Sequence, residues 1–122
     1  MYPYGLIGNC QTAALISEKG SIDWLCLPRP DSEPVFGRLL DKDGGHFSVE
    51  FFGDASTSSR QRYLENTNVL ITEMSAANGD AFRIPDFCPR FEQHGRMYRP
   101  MAIFRIVEPV AGTPSVRAEC RP

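Results

Sequence analysis

Carboxylates, thiols, imidazoles and one proline-braced arginine are the groups in this chain able to do chemistry, and their spacing limits what each can do. Two carboxyl groups facing each other across a bond serve as general acid and base. Glu50, Glu65, Glu73, Glu108 and Glu119 fall mostly in runs that alternate polar and apolar residues, where an outward, solvated carboxylate is the ordinary outcome. No catalytic residue is therefore assigned. His46 sits in such an alternating run and His94 in a distant polar stretch, so no metal site is expected. The cysteines, Cys10, Cys26, Cys88 and Cys120, form no C-x-x-C pair and are flanked mostly by strand-like apolar residues, which predicts buried thiols. A Cys10–Cys26 disulfide is conceivable between neighbouring strands, but a reducing compartment disfavours it. Without a G-x-S-x-G elbow, a P-loop or a G-x-G-x-x-G turn, no cofactor is expected.

Arg29 and Asp31 stand apart because prolines 28, 30 and 34 surround them. Proline removes a backbone donor and biases the residue before it toward extended geometry, so this elbow is stiff and non-helical. Arg29 is the natural docking anchor, since its planar fork can pair with carboxylates across a domain interface. A local pair with Asp31 is the equal alternative. Asp31 and Ser32 could also meet a substrate hydroxyl, although capping a following helix is the simpler role. A short helix near residues 33–41 follows from Glu33 and Pro34 in a first turn and Val35, Phe36, Leu39 and Leu40 on one face.

The remaining elements read as strands. Gln11 to Ile16 and Ser21 to Leu27 form a hairpin with Gly20 in the left-handed turn position, setting Ile16 opposite Ile22, Ala14 opposite Trp24 and Thr12 opposite Cys26. That face is core, with Trp24 as a packing residue. Gly45 to Phe52 alternates as a half-exposed strand with His46 outward. Gly53 to Gln61 is expected to be a mobile loop. Asn68 to Ser75 turns back into Asp80 to Phe87, and a bulged turn sets Glu73 opposite Arg83 and Met74 opposite Phe82. Pro85 makes the second strand an edge, or irregular there. Pro89 to Arg99 reads as a loop. Met101 to Val107 reads as a central strand buried on both faces except at Arg105. Glu108 to Pro114 is a turn, and Ser115 to Cys120 is a strand with Val116, Ala118 and Cys120 inward. The fold class is mainly β, an antiparallel β-sandwich with one short helix.

Composition sets the outer limits. The chain has 122 residues, 42% hydrophobic and 23% charged, with net charge −2, which suits one globular domain with a real core. Arginines are dispersed, so nucleic acid has no electrostatic footprint. No apolar run is long enough to span a bilayer, and MYPYGLIGN lacks the form of a secretory signal, so a cytoplasmic location is expected.

The run SIDWLCLPRPDSEPVFGRLLD, preceded by YGLIGNCQTAALIS, resembles the start of the N-terminal β-sandwich domain of bacterial glycoside hydrolase family 15 proteins, the glucoamylase and trehalase-like enzymes. GGHFSVEF, RYLENTNVLITEM, DAFRIPDFCPRF and IFRIVEPVAGTPSVRAECRP follow in the order of that domain, so the resemblance covers nearly the whole chain. It implies a non-catalytic domain, residues 1–122, that docks on an α/α-barrel catalytic domain whose two glutamates perform inverting hydrolysis of an α-glucoside. It also implies truncation before the rest of the sandwich, hence exposed strand edges and homodimerisation or strand exchange. Two other readings stay open. A carbohydrate-binding module would present exposed aromatics, for which Tyr2, Tyr4, Tyr63 and Tyr98 are candidates. An interaction scaffold would present a large apolar patch.

Overall fold

The computed structural model describes residues 4–52, 57–100 and 102–122. In chain order the strands are β1 (Tyr4–Gly8), β2 (Ala13–Ser17), β3 (Ile22–Cys26), β4 (Pro34–Phe36), β5 (His46–Phe51), β6 (Thr57–Tyr63), β7 (Leu70–Ala76), β8 (Ala81–Phe87), β9 (Phe91–Gln93), β10 (Arg96–Tyr98), β11 (Phe104–Arg105), β12 (Glu108–Ala111) and β13 (Val116–Arg121). One sheet runs β1-β2-β3-β5-β13, with β4 beside β3. The other runs β11-β8-β7-β6, with β12 also on β8, and β9 and β10 form a separate hairpin. Every pairing is antiparallel, so the expected β-sandwich is the observed fold class.

Alternation along the strands supplies the core, because side chains two apart share a face. Ile7, Ala14, Ile16, Ile22, Leu25 and Phe36 of the first sheet pack with Leu70 and Cys88. Val49 packs with Met74, Phe82 and Ile84 of the second. The sheets approach closely at Gly5, where an added Cβ would collide with Leu70. Tyr63 closes the outer edge of β1: its hydroxyl donates to the Leu6 carbonyl at 2.7 Å and accepts from the Leu6 N–H at 3.0 Å.

Several local expectations match. Ser17 N–H donates to Ser21 O at 2.8 Å, Gly20 takes φ +83°, and Ile16 lies opposite Ile22. Glu73 lies opposite Arg83 and Met74 opposite Phe82. The second neighbour of β8 is broken across from Pro85, between β11 and β12, as the missing donor requires.

Other expectations are corrected. No helix forms near residues 33–41: β4 pairs with β3, setting Leu25 opposite Phe36 and Cys26 opposite Pro34, and Gly37 N–H donates to Gly44 O at 2.8 Å. A helix would forfeit this ladder and carry Gly37 in its interior, while Leu40 is 79% exposed and contributes nothing to an apolar stripe. A register shift between Leu15 and Ile16 sets Leu15, not Ala14, opposite Trp24. The bulge passes the inward position from Trp24 to Leu25, so Trp24 is half-buried and belongs to neither core cluster.

Residues 53–56 of the expected mobile loop lie outside the described residues, and the rest of it is strand. Thr57 to Tyr63 pairs along the whole of β7, helped by a Ser58–Ser75 hydroxyl contact at 3.0 Å and an Arg60–Glu73 bond at 2.6 Å. Pro89 to Arg99 contains a hairpin rather than a plain loop, turned by His94 at φ +54° and Gly95 at φ +73°. Two consecutive left-handed residues suit the twist of a two-residue hairpin turn.

Met101 lies outside the described residues. The expected central strand reduces to β11, an edge segment with Phe104, Ile106 and Val107 exposed, and its arginine is the residue whose side chain is buried. Glu108 to Ala111 is strand rather than turn, bulged between Pro109 and Ala111. Val116, Ala118 and Cys120 share the inner-face row with Phe47, Val49 and Phe51 but remain exposed. Cys10 and Cys120 are exposed and only Cys26 and Cys88 are buried, all four as free thiols.

Candidate functional site

The elbow after β3 places Arg29 and Asp31 together in solvent. Arg29 Nη2 donates to Asp31 Oδ2 at 2.7 Å, with the two side chains 73% and 70% exposed. Ser32 does not cap a helix. Its hydroxyl accepts from Arg29 N–H and its own N–H donates to Arg29 O, each at 3.0 Å, which closes a tight turn presenting the pair.

A polar cleft of about 820 Å³ lies on the outer face of the first sheet. Tyr4, Asp23, Arg38, Asp41, Glu50 and Glu119 are among the residues that line it. Asp23 is buried, accepting from Ser21 Oγ at 2.5 Å and Tyr4 Oη at 3.1 Å. Partial burial, and then the Asp23 charge, raise the Tyr4 phenol above its ordinary pKa. Next to this cleft, Leu6, Leu15 and Trp24 form a cross-strand row on the same outer face.

Three of the five carboxylates considered for acid–base work, Glu73, Glu108 and Glu119, are paired with arginines. Glu73 binds Arg60 at 2.6 Å and Arg62 at 3.3 Å, and the hydrogen bond from Arg60 holds its carboxyl below the usual range. Glu108 binds Arg83 at 2.6 Å, so both members of the expected Glu73–Arg83 pair have other partners. Glu119 binds Arg121 at 2.9 Å and Arg117 at 3.6 Å. Glu65 is exposed in a turn and Glu50 on the cleft rim. Among the described residues no group of three or more histidines, cysteines or acids is placed to hold a metal ion.

The most perturbed carboxyl group is Asp86. Burial pushes it up to about 6 against the opposing pull of Arg105, whose Nε donates to Asp86 Oδ1 at 2.7 Å. Arg105 also donates to the carbonyls of Phe47, at 2.8 Å, and Gly20, and its guanidinium lies 4.9 Å from the centre of the Phe47 ring. One side chain thus ties β11 and β8 to β5 and to the β2–β3 turn. Asp86 has no exposed surface, so it meets no substrate, and the pair is an intersheet brace. The sequence carried a signal for it: Arg105 interrupts an apolar run, and Asp86 holds the inward phase of Phe82 and Ile84.

Asn9 is a second feature missed in the sequence. Its buried amide donates to the carbonyls of Pro89 at 2.8 Å and Pro100 at 2.9 Å, while its oxygen accepts from the N–H groups of Gln11 and Thr12. It clamps both roots of the β9–β10 arm, which projects with every residue exposed and Phe91 stacked on Tyr98 at 5.4 Å. Of the tyrosines considered for carbohydrate, Tyr98 lies on this arm, Tyr63 seals the β1 edge, Tyr4 lines the cleft, and Tyr2 lies outside the described residues.

Comparison with known proteins gives a consistent picture. The family described as trehalase-like, N-terminal matches residues 3–99. Trehalase of Mycolicibacterium smegmatis is 36% identical over 133 residues, covering 98% of this chain and 20% of that protein. Trehalase of Thermoplasma volcanium is 40% identical over 106 residues, covering 86% and 17%. Trehalase 1 of Sulfolobus acidocaldarius is 47% identical over 89 residues, covering 73% and 15%. The chain therefore spans about a fifth or less of the length of these curated relatives. No solved structure matches it at a significant level.

Proposed function

The chain belongs to the trehalase-like N-terminal domain family, and from that premise we propose that it is the non-catalytic sandwich domain of a glycoside hydrolase of family 15. In this reading its substrate-cleaving partner is an α/α-barrel catalytic domain. Hydrolysis is inverting, with a carboxylic acid and a carboxylate base on that barrel flanking the α-glucosidic bond. Trehalose is the favoured substrate, because the relatives named above are trehalases.

The observation that carries the non-catalytic role is the commitment of the acids. Asp86, Glu73, Glu108 and Glu119 are each held by arginine, and Asp23 by Ser21 and Tyr4. Glu73, Glu108 and Asp86 tie neighbouring strands together, Asp23 ties β3 to β1 through Tyr4, and Glu119 is neutralised by arginines of its own strand. The Arg29–Asp31 elbow is the docking element in this proposal: it is exposed, held by its own turn, and able to exchange its local partner for carboxylates on the barrel.

The test assays trehalose and maltose hydrolysis by the 122-residue chain and by a chimera in which it replaces the matching segment of the Mycolicibacterium smegmatis trehalase. Activity confined to the chimera is expected, with Arg29→Ala in the chimera lowering its melting temperature. Turnover by the short chain would place catalysis on these residues and overturn the reading. A chimera indifferent to Arg29→Ala would remove the elbow from the interface.

A further inference from the structure

We propose, on the basis of that non-catalytic reading, that the β9–β10 arm is the prong by which this domain grips the catalytic portion of the longer hydrolase. Phe91 and Tyr98 enter an apolar recess of that portion, and the arginines of the arm pair with acids around it.

The loops at one end of the sandwich are extended and braced against one another. Asn9, in the β1–β2 turn, donates to the carbonyls of Pro89 at 2.8 Å and Pro100 at 2.9 Å, the two roots of the arm. The same turn, through Cys10 and Gln11, borders a hollow of about 390 Å³ with Pro30 of the elbow and Asn68 of the β6–β7 turn. Asn68 also lines a second hollow, of about 480 Å³, together with Pro89, Arg90 and Phe91. Elbow, β6–β7 turn and arm are therefore neighbours on one surface. The opposite end carries the tight β2–β3 and β7–β8 turns, closed by Ser17 N–H to Ser21 O and by Ala76 N–H to Asp80 O, each at 2.8 Å.

An isolated hairpin of two three-residue strands is marginal in water, so the Asn9 clamp is what fixes the direction of the arm. No arm residue belongs to either core cluster. The fold thus commits a buried amide to aiming a segment whose own side chains add nothing to the core.

Charge says what the segment meets. Among the described residues every arginine outside the arm and its roots, except Arg38, is held by an acid, whereas Arg90, Arg96 and Arg99 have no such partner. Between Pro89 and Pro100 these three arginines stand against the single acid Glu92. Guanidiniums without partners beside a stacked Phe91–Tyr98 pair are complementary to acids around an apolar recess, and aromatics and arginine are the anchors that dominate protein interfaces. The matched segment makes up 20% of the Mycolicibacterium smegmatis trehalase, so the greater part of such a chain remains to supply those acids. The arm need not stay open in the longer protein: the catalytic portion covers it.

The chimera with the Mycolicibacterium smegmatis trehalase tests this. Two sets of changes are compared in the chimera and in the 122-residue chain: Phe91→Ser with Tyr98→Ser, and Arg96→Glu, which leaves the aromatic stack in place. Every substituted residue is exposed, so the short chain should keep its melting temperature, whereas the chimera should lose about 3 °C or more. With a benzophenone amino acid in place of Met97, irradiation of the chimera should join the arm to peptides of the trehalase portion. A chimera that hydrolyses trehalose but is indifferent to both sets, equal losses in the short chain and the chimera, or cross-links confined to this domain overturns the arm as docking prong and leaves the non-catalytic reading standing. A chimera without hydrolysis fails that reading, and the arm's role with it. A lowered kcat/KM for trehalose at unchanged melting temperature assigns the arm to the substrate and likewise refutes the dock.

Discussion

Replacing Arg105 by methionine tests whether the buried brace holds the two sheets together. The Arg105 and Asp86 side chains are 5% and 0% exposed, so the substitution leaves a carboxylate in the interior with its charge partner gone. The carbonyls of Gly20 and Phe47 lose their donor at the same time. Removing one member of a buried pair costs about 3–5 kcal/mol, a large share of the stability of a domain this size.

The cost must depend on pH. Asp86 already has a folded pKa raised to about 6, above the ordinary 3.8. A raised carboxyl contributes stability that is fully present below the unfolded pKa and lost as pH rises through the folded pKa. Without Arg105 the two effects that pull Asp86 down disappear, so its folded pKa climbs further and the loss extends to higher pH. Urea denaturation at about pH 5 and about pH 8 should show a clearly larger deficit for Arg105→Met at the higher pH. Adding Asp86→Leu should recover most of it, since an apolar replacement removes the orphaned charge. A deficit below about 1 kcal/mol, or one equal at both pH values, would refute the brace argument.

Two further outcomes follow from the packing. Asn9→Ala frees the carbonyls of Pro89 and Pro100 and the turn at Gln11 and Thr12, and should cost about 1–3 kcal/mol. Limited trypsin digestion should then cut first at Arg90 and Arg96, and an unchanged cleavage order would deny the clamp. Cys10 and Cys120 should react with a thiol reagent in the folded protein, while Cys26 and Cys88 wait for unfolding. Burial, aided by the Asp86 charge, pushes the Cys88 thiol up to about 11, so prompt labelling of all four would contradict the packing.

What could be read in advance followed a clear pattern. The β2–β3 turn and the β7–β8 register were legible because local rules set them: glycine supplies the left-handed turn residue, and complementary side chains then face each other. The elbow was legible because proline acts on its immediate neighbours. The expected helix near residues 33–41 failed where a tertiary partner intervened, since Val35 and Phe36 gain more from the ladder to β3 than from a solitary helical turn. Thr57 to Gln61 looked like a polar loop for a related reason: an edge strand on β7 needs only a partner, and serine and arginine serve on its outer face.

The sequence by itself therefore determined the all-β class, the strand-turn-strand units and the family, because these depend on alternation, turn chemistry and a long run of matching residues. The tertiary structure alone decided that Arg105 is buried, that Trp24 yields the core to Leu25 across a bulge, and that Glu73, Asp86 and Glu108 are held by arginines from other strands. Each of those outcomes depends on which strands become neighbours, and a side chain's solvation and charge partners are properties of the neighbourhood rather than of its place along the chain.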